Sequence, residues 1–265
     1  MMSNKKPVVF VSHIAEEAEI AIELKKLIEQ SFLNGVEVFV SSDENSNGVG
    51  EEWLDKIKRN LSDAIFAIII CSHTSINRPW INFEAGAAWI QNIKIAPLCH
   101  SGLTPNSLPI PLTTFNGVLL DNPKGLDNLL LSISREIGLT KPTVDFSFFL
   151  NSAHKFQREY TLLKKVKDIF SKLEYQTPSF TMNIVNDGEC DVYIPLQEQQ
   201  HYSDDFCFLE EQNMLSANVI NANITAIKTL ENNKSVSHNL IQYKVIEKEN
   251  LKTILYECGI INPLF

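Results

Sequence analysis

The sequence predicts an α/β fold in which a doubly wound parallel sheet of about five strands is followed by a small α+β domain. Over residues 1–141, short β-branched or apolar runs alternate with stretches of helical spacing. The most apolar run, Ala64–Cys71, shows no polar alternation, as expected of a strand buried on both faces. Over residues 142–265 the alternation stops and polar stretches become longer, which predicts a second domain.

Five runs are expected to form the parallel sheet: Pro7–Ser12, Val36–Val40, Ile65–Cys71, Lys94–Cys99 and Val118–Asp121. Helices are expected between them: Glu16–Gln30, Glu51–Leu61, a helix opened by Pro79, and Leu126–Ile137, which Gly138 stops. Right-handed crossovers place the loops that follow the strands on one edge of such a sheet. Ligands of open α/β sheets bind at that edge, so the site is expected there.

The second domain carries no motif that identifies a function. Apolar residues recur at helical spacing over residues 152–174, which predicts a long amphipathic helix. Phe180–Val185 and Asp191–Ile194 flank Asn186-Asp187-Gly188-Glu189, a pattern that predicts a β-hairpin. Gln197–Asp205 is interpreted as a polar loop.

Composition excludes several classes of partner and site. The formal net charge is −9, so nucleic acid is not expected as a partner. The five cysteines are scattered, odd in number and free of C-x-x-C spacing, which indicates a reducing cytoplasm without a disulfide framework or a metal site. Ala64–Cys71 is too short to span a bilayer, so no membrane association is expected.

One carboxylate, Glu84, is the best candidate for chemistry. It follows the strand Ala64–Cys71 and lies in the first turns of the helix that Pro79 opens, with Trp80 one turn before it. The positive end of a helix dipole favours the ionised form of an acid in that position. A glutamate near a helix start is also often only a surface charge, and this alternative stays open on the residues alone.

Further candidates for shaping a pocket lie at the same edge of the sheet. Ser12 and His13 end the first strand, Ser42 and Asp43 follow the second, and Trp53 lies in the next helix. Each has a simpler interpretation: Trp53 as a core aromatic, His13 as an ordinary histidine, and Asp43 as a turn former. No P-loop motif is present, and Ser12-His13 stands where a phospho-receiver domain needs acids.

Four segments together are more specific than any one residue. They are Val9-Phe10-Val11-Ser12-His13, the loop Ser42–Gly50 before Glu51-Glu52-Trp53, the strand IFAIIICS, and Pro-Trp-Ile-Asn-Phe-Glu-Ala-Gly. On these segments, residues 8–140 resemble a Toll/interleukin-1 receptor (TIR) domain of the bacterial type. Trp80 and Glu84 reproduce the W-x-x-x-E spacing of enzymatically active members of that family.

The resemblance implies a flavodoxin-like sheet and a cytoplasmic enzyme that cleaves NAD+ at the nicotinamide–ribose bond, with Glu84 as the catalytic acid. NAD+ would be the substrate, and no separate cofactor or metal is implied. The residues that would bind the nucleotide are Trp80, Ser12, His13, Ser42, Asp43 and Trp53.

The resemblance also implies a role in antiphage defence and a homo-oligomer or filament that assembles through the loop Ser41–Gly50. An activating ligand or protein would then act on the second domain, which we interpret as regulatory or partner-binding. The alternative is a non-catalytic TIR interaction module, as in many animal adaptors, whose second domain senses a ligand or partner.

Overall fold

The computed structural model describes residues 6–42, 51–229 and 235–262 of the chain. The chain divides into two units, Met1–Tyr160 and Thr161–Phe265. Within the described ranges, no helix has both the length and the apolar character needed to cross a membrane.

The first unit contains a five-stranded sheet whose paired strands all run parallel. Its strands are β1 (Val8–His13), β2 (Glu37–Ser42), β3 (Ala64–Cys71), β4 (Lys94–Cys99) and β5 (Val118–Leu119). They lie in the order β2-β1-β3-β4-β5, so the strand order switches direction between β1 and β3. The predicted doubly wound parallel sheet is therefore confirmed.

Strand alternation builds two core layers in the first unit, one on each face of the sheet. The helices that cover it are α1 (Ala18–Ser31), α2 (Glu51–Asp63), α3 (Pro79–Ile90) and α4 (Pro123–Ile137). Val9 and Val11 of β1 belong to the core cluster that includes residues of α1 and α4. Val8 and Phe10 belong to the cluster that includes residues of α2 and α3.

Local chemistry sets the ends of α3 and α4, and two of these ends, at Pro79 and Gly138, are predicted from the sequence. Pro79 occupies the start of α3, where its missing N–H group leaves no intrahelical bond unmade. At the start of α4 the Asn122 side chain accepts the backbone N–H of Gly125 at 3.1 Å. Gly138 ends α4 with a φ of 68°, a left-handed conformation that glycine adopts without steric cost.

The boundary between the units lies later than the predicted position at Lys141-Pro142. The chain divides between Tyr160 and Thr161, inside the helix α5 (Ser147–Gln176). Four apolar residues beyond the predicted boundary are buried in the core cluster of α1 and α4: Phe146, Phe149, Ala153 and Phe156. The change in sequence pattern at Lys141-Pro142 therefore marks the end of the strand and helix alternation. The core of the first unit extends further along the chain, because the start of α5 packs against it.

The second unit is a small α+β arrangement, as predicted. Its strands are β6 (Glu189–Pro195), β7 (Leu215–Thr229) and β8 (Ser235–Glu247), and they form an antiparallel sheet in the order β6-β8-β7. Its helices besides α5 are α6 (Phe180–Asp187), α7 (Gln199–Glu211) and α8 (Leu251–Glu257).

The hairpin predicted around Asn186–Glu189 is wrong. Phe180–Val185 belongs to α6, and Gly188 ends that helix with a φ of 75° before β6 begins. Phe180 and Ile184 are both fully buried, which is the spacing of one helical face. A left-handed glycine serves equally at a hairpin turn and at a helix end, so the local signal did not distinguish the two.

The polar loop predicted at Gln197–Asp205 is also wrong, because most of it lies in α7. Tyr202, Phe206 and Leu209 are buried along one side of this helix. Its many polar residues form the solvated face, and polarity alone therefore hid an amphipathic pattern.

The late boundary predicts a difference between two fragments of the chain. Residues 1–160 should unfold at a higher temperature than residues 1–141, because only the longer fragment keeps Phe149 and Phe156 over the first core. Loss of one large buried aromatic side chain costs about 3–5 kcal/mol. Thermal unfolding followed by circular dichroism measures the two Tm values, and equal values would contradict the assignment of α5 residues to this core.

Candidate functional site

The candidate site lies at the carboxyl edge of the first sheet, where β1 and β2 end and α3 begins. β1 and β2 are in register there, with Ser12 opposite Ser41. Trp80 and Glu84 are four residues apart in α3, so both side chains lie on one side of the helix. Two strand ends and one helix start therefore supply the polar groups of the site.

Glu84 is fully buried, and among the described residues it accepts hydrogen bonds from the side chains of Ser12, Ser41 and Trp80. Ser12 Oγ donates to Oε2 at 2.5 Å, and Ser41 Oγ lies 2.9 Å from Oε1 and 3.1 Å from Oε2. Trp80 Nε1 donates to Oε1 at 3.0 Å. These three donors are neutral, so they orient the carboxylate and do not themselves contribute a positive charge.

Trp80 combines a polar contact with an apolar wall. Its indole N–H faces Glu84, and its ring stacks on Phe83 with the centroids 5.2 Å apart. Trp80 is half-buried, whereas Phe83 is largely exposed. The aromatic pair thus reaches from the buried carboxylate to the surface, a suitable surface for a flat heterocycle or a sugar.

Ser41 belongs to the site, although the sequence pattern pointed to its neighbour Ser42. Ser41 follows Phe39 by two residues in β2. The Phe39 ring stacks on the ring of Phe10 in the neighbouring strand β1, with the ring centroids 5.6 Å apart. Side chains two apart on a strand point to the same face, so Ser41 lies on the face that carries Ser12 and α3. Strand alternation was the signal that could have identified it.

Three predicted pocket residues fall wholly or partly outside the described part of the chain. Asp43 lies in the undescribed range 43–50, together with most of the predicted assembly loop Ser41–Gly50. Ser42 ends β2 and Trp53 lies in α2, but the side chains of both are outside the described set. Their proposed roles stay predictions.

His13 is buried, but on the other face of the sheet from its neighbour Ser12. Its Nδ1 atom has no hydrogen-bond partner among the described residues. Burial lowers the pKa of His13 to about 4, although the Glu17 carboxylate and a backbone hydrogen bond at Val11 act in the opposite direction. His13 is therefore neutral near pH 7 and adds no positive charge beside the site.

A second polar group at this edge was not predicted from the sequence. We name it the rim cluster; it consists of Glu17, Ser72, His100 and Tyr160, which are linked by hydrogen bonds. The first three are almost completely buried, and Tyr160 is half-buried. Ser72 and His100 directly follow β3 and β4, a position that could have drawn attention to them.

The chemistry that the described residues offer at Glu84 is electrostatic. No group of three or more His, Cys, Asp or Glu side chains within the described ranges could hold a metal ion. A buried carboxylate held by fixed dipoles stabilises positive charge that develops beside it, because it needs no reorganisation during the reaction.

Comparison with known proteins assigns the region that contains this site. A family model described as the TIR domain matches residues 9–130, which run from β1 into α4 and include Ser12, Ser41, Trp80 and Glu84. The TIR domain inferred from the sequence is thereby confirmed for this region. No curated protein matches the chain.

The lowered pKa of His13 predicts a dependence of stability on pH. The unfolded chain protonates this residue near the ordinary histidine pKa of 6.5, but the folded protein does so only near pH 4. The free energy of unfolding should therefore fall as the pH drops through this range, with a contribution approaching about 1.4 kcal/mol per pH unit.

Denaturant unfolding of the wild type and His13→Asn at several pH values tests this effect. The variant lacks the titrating ring, so the stability of the wild type relative to the variant should decrease toward low pH. A difference that stays constant over the range would contradict the lowered pKa.

Proposed function

We propose that this protein, whose first unit contains a TIR domain, is an NAD+ nucleosidase that uses Glu84 to cleave the nicotinamide–ribose bond. The observation that carries the proposal is the buried Glu84 carboxylate, held by Ser12, Ser41 and Trp80 within the matched region. The W-x-x-x-E spacing of Trp80 and Glu84 supports it, because enzymatically active TIR domains have the same spacing.

A single carboxylate is sufficient for this reaction. Most glycoside hydrolases need a second carboxyl group to protonate the leaving oxygen. Nicotinamide in NAD+ is a cationic pyridinium, so when the carbon–nitrogen bond breaks, the electron pair moves to the ring nitrogen and the base leaves neutral. The ribose becomes an oxocarbenium ion, and the negative charge of Glu84 stabilises it.

The two serines and Trp80 have separate tasks in this mechanism. Ser12 and Ser41 hold the carboxylate in one orientation, and the Trp80 ring offers an apolar surface to the nicotinamide or the ribose. Because Glu84 is fully buried, NAD+ reaches it only when covering atoms move. Ribose hydroxyls can then donate to the carboxylate in place of the protein hydroxyls.

The nucleophile that attacks the ribosyl cation decides the product. Addition of water at the anomeric carbon gives ADP-ribose and releases a proton, whereas attack by a group of the same nucleotide gives a cyclised product. A different acceptor gives a conjugated ADP-ribose. We propose that one of these products serves as a signal in bacterial antiphage defence.

The proposal extends to assembly and to control by the second unit. Self-association through the loop Ser41–Gly50 would form the active state, and a ligand or protein bound to the second unit would promote it. Light scattering and the rate of nicotinamide release, measured over a range of protein concentrations, test the assembly. The specific activity should rise with the oligomer fraction, and full activity in a monomer would contradict it.

The rival function is a non-catalytic interaction module. The observation in its favour is the same burial of Glu84, since a carboxylate bonded to three internal donors also serves to join β1, β2 and α3. In that case Glu84→Gln would lower the stability of the protein, and the wild type would release no nicotinamide.

The decisive variant is Glu84→Gln, which keeps the size of the side chain and removes its charge. We expect the rate of nicotinamide release to fall by at least about 100-fold, because the developing cation loses its counter-charge. Chromatography of NAD+ incubated with the purified protein measures the products, and circular dichroism verifies that the variant is folded.

A matched control is Glu136→Gln, because Glu136 is a partly exposed acid of the same unit, paired with Lys94 at 3.0 Å. This variant should retain wild-type activity. Full activity in a folded Glu84→Gln protein would refute the catalytic role of Glu84.

A further inference from the structure

The helix α5 is tied to the carboxyl edge of the first sheet by two polar side chains. Gln157 accepts the backbone N–H of Ser101 at 2.8 Å and donates to Asp121 Oδ2 at 3.1 Å. The hydroxyl of Tyr160 lies 2.9 Å from Ser72 Oγ. Ser72, Ser101 and Asp121 follow β3, β4 and β5, so α5 is anchored to three successive strand ends.

Glu17 is the centre of the rim cluster. Its Oε1 atom accepts from Ser72 Oγ at 2.8 Å and from His100 Nε2 at 3.1 Å, while Oε2 accepts the backbone N–H of Ile14 at 3.2 Å. Ser72 has one hydroxyl hydrogen, which points to Glu17, so Tyr160 donates its own to Ser72. A continuous chain of hydrogen bonds therefore runs from α5 to the backbone that follows β1.

The bond at Ile14 connects this chain to the Glu84 site. Ile14 comes two residues after Ser12, whose hydroxyl donates to Glu84 at 2.5 Å. Glu17 thus fixes the backbone at the end of β1, the strand that supplies the donor Ser12 to Glu84. A displacement of that backbone changes the length and angle of the Ser12–Glu84 hydrogen bond.

We propose that Glu17 and Tyr160 are positioning residues for Glu84 and that α5 acts on the site through them. The inference rests on the proposed function and adds a route for its control. α5 includes residues of both units, so a change in the second unit can reach Tyr160 along one helix. When the Tyr160 hydroxyl moves away, Ser72 loses its donor and its own hydrogen bond to Glu17 weakens. The backbone at the end of β1 is then held less firmly by Glu17.

The aromatic packing around Tyr160 permits a clean substitution. His100 contacts the Tyr160 ring edge-on, with the centroids 4.9 Å apart, and it also lies 5.3 Å from the Phe156 ring. Tyr160→Phe keeps these ring contacts and removes only the hydroxyl. Burial also raises the pKa of Tyr160, so the group that is removed is a neutral donor.

The experiment compares the full-length wild type with Tyr160→Phe, Glu17→Gln and the double variant. The matched control is Ser134→Ala, which removes a buried hydroxyl bonded to Leu130 O at 2.8 Å within α4. We expect kcat for nicotinamide release to fall about tenfold in each single variant with KM nearly unchanged, because the carboxylate is misplaced rather than removed. The double variant should lose no more than Glu17→Gln alone, since both residues act along one route.

A second measurement does not depend on activity. The indole N–H of Trp80 donates to Glu84, so its NMR signal, assigned with Trp80→Phe, reports the position of the carboxylate. We expect this signal to shift in Tyr160→Phe and Glu17→Gln and to stay in place in Ser134→Ala.

The outcomes separate this inference from the proposed function. If the wild type is active, an unchanged kcat in both single variants, or losses that multiply in the double variant, would overturn the positioning roles. If the wild type releases no nicotinamide, the proposed function fails and the indole signal decides the inference: a shift in both variants supports it, and an unmoved signal overturns it.

Discussion

The arrangement of the first unit depends on the hydrogen bonds that surround the Glu84 carboxylate. A buried carboxylate is unfavourable unless polar partners replace the water it has lost. Ser12 and Ser41 are 72 and 43 residues away in the chain, so only the folded sheet brings them to Glu84, whereas Trp80 is four residues away in the same helix. The same contacts therefore join strands and helix and hold the carboxylate in one position at the sheet edge.

The end of β1 has a double role in this architecture. Ser12 turns to the face that carries α3 and contacts Glu84, while His13 turns to the opposite face. Glu17 then bonds to the backbone immediately after these two residues. One short stretch of chain thus joins the buried Glu84 carboxylate on one side of the sheet to the rim cluster on the other.

The sequence predicts the first unit well because its signals are strong and local. Buried parallel strands are continuous β-branched runs, and a proline or a glycine marks the relevant ends of α3 and α4. Glu84 and Trp80 were identified because a single segment, Pro79–Gly86, carries both. The prediction named Ser42 instead of Ser41. Residues 41–50 were interpreted as a loop, so the alternation of side chains along β2 was not followed to Ser41.

The remaining features depend on contacts that one sequence does not specify. The partners Ser72 and His100 of Glu17 are 55 and 83 residues away, and no local spacing relates them. α6 was mistaken for a strand because Gly188 suits either a hairpin turn or a helix end, and packing in the second unit decides between them. The late unit boundary has the same origin, because the aromatic residues at the start of α5 are assigned to the first core only by their burial.

The complete burial of Glu84 has a consequence for the proposed cleavage of NAD+. Turnover would be confined to the fraction of molecules that have opened, and each 1.4 kcal/mol of opening free energy would reduce that fraction about tenfold. The resting rate of NAD+ loss would then be governed by a conformational equilibrium rather than by affinity for the nucleotide. A trigger that favours the open form would raise the rate without changing any reacting group, so a cell could hold such a protein in reserve.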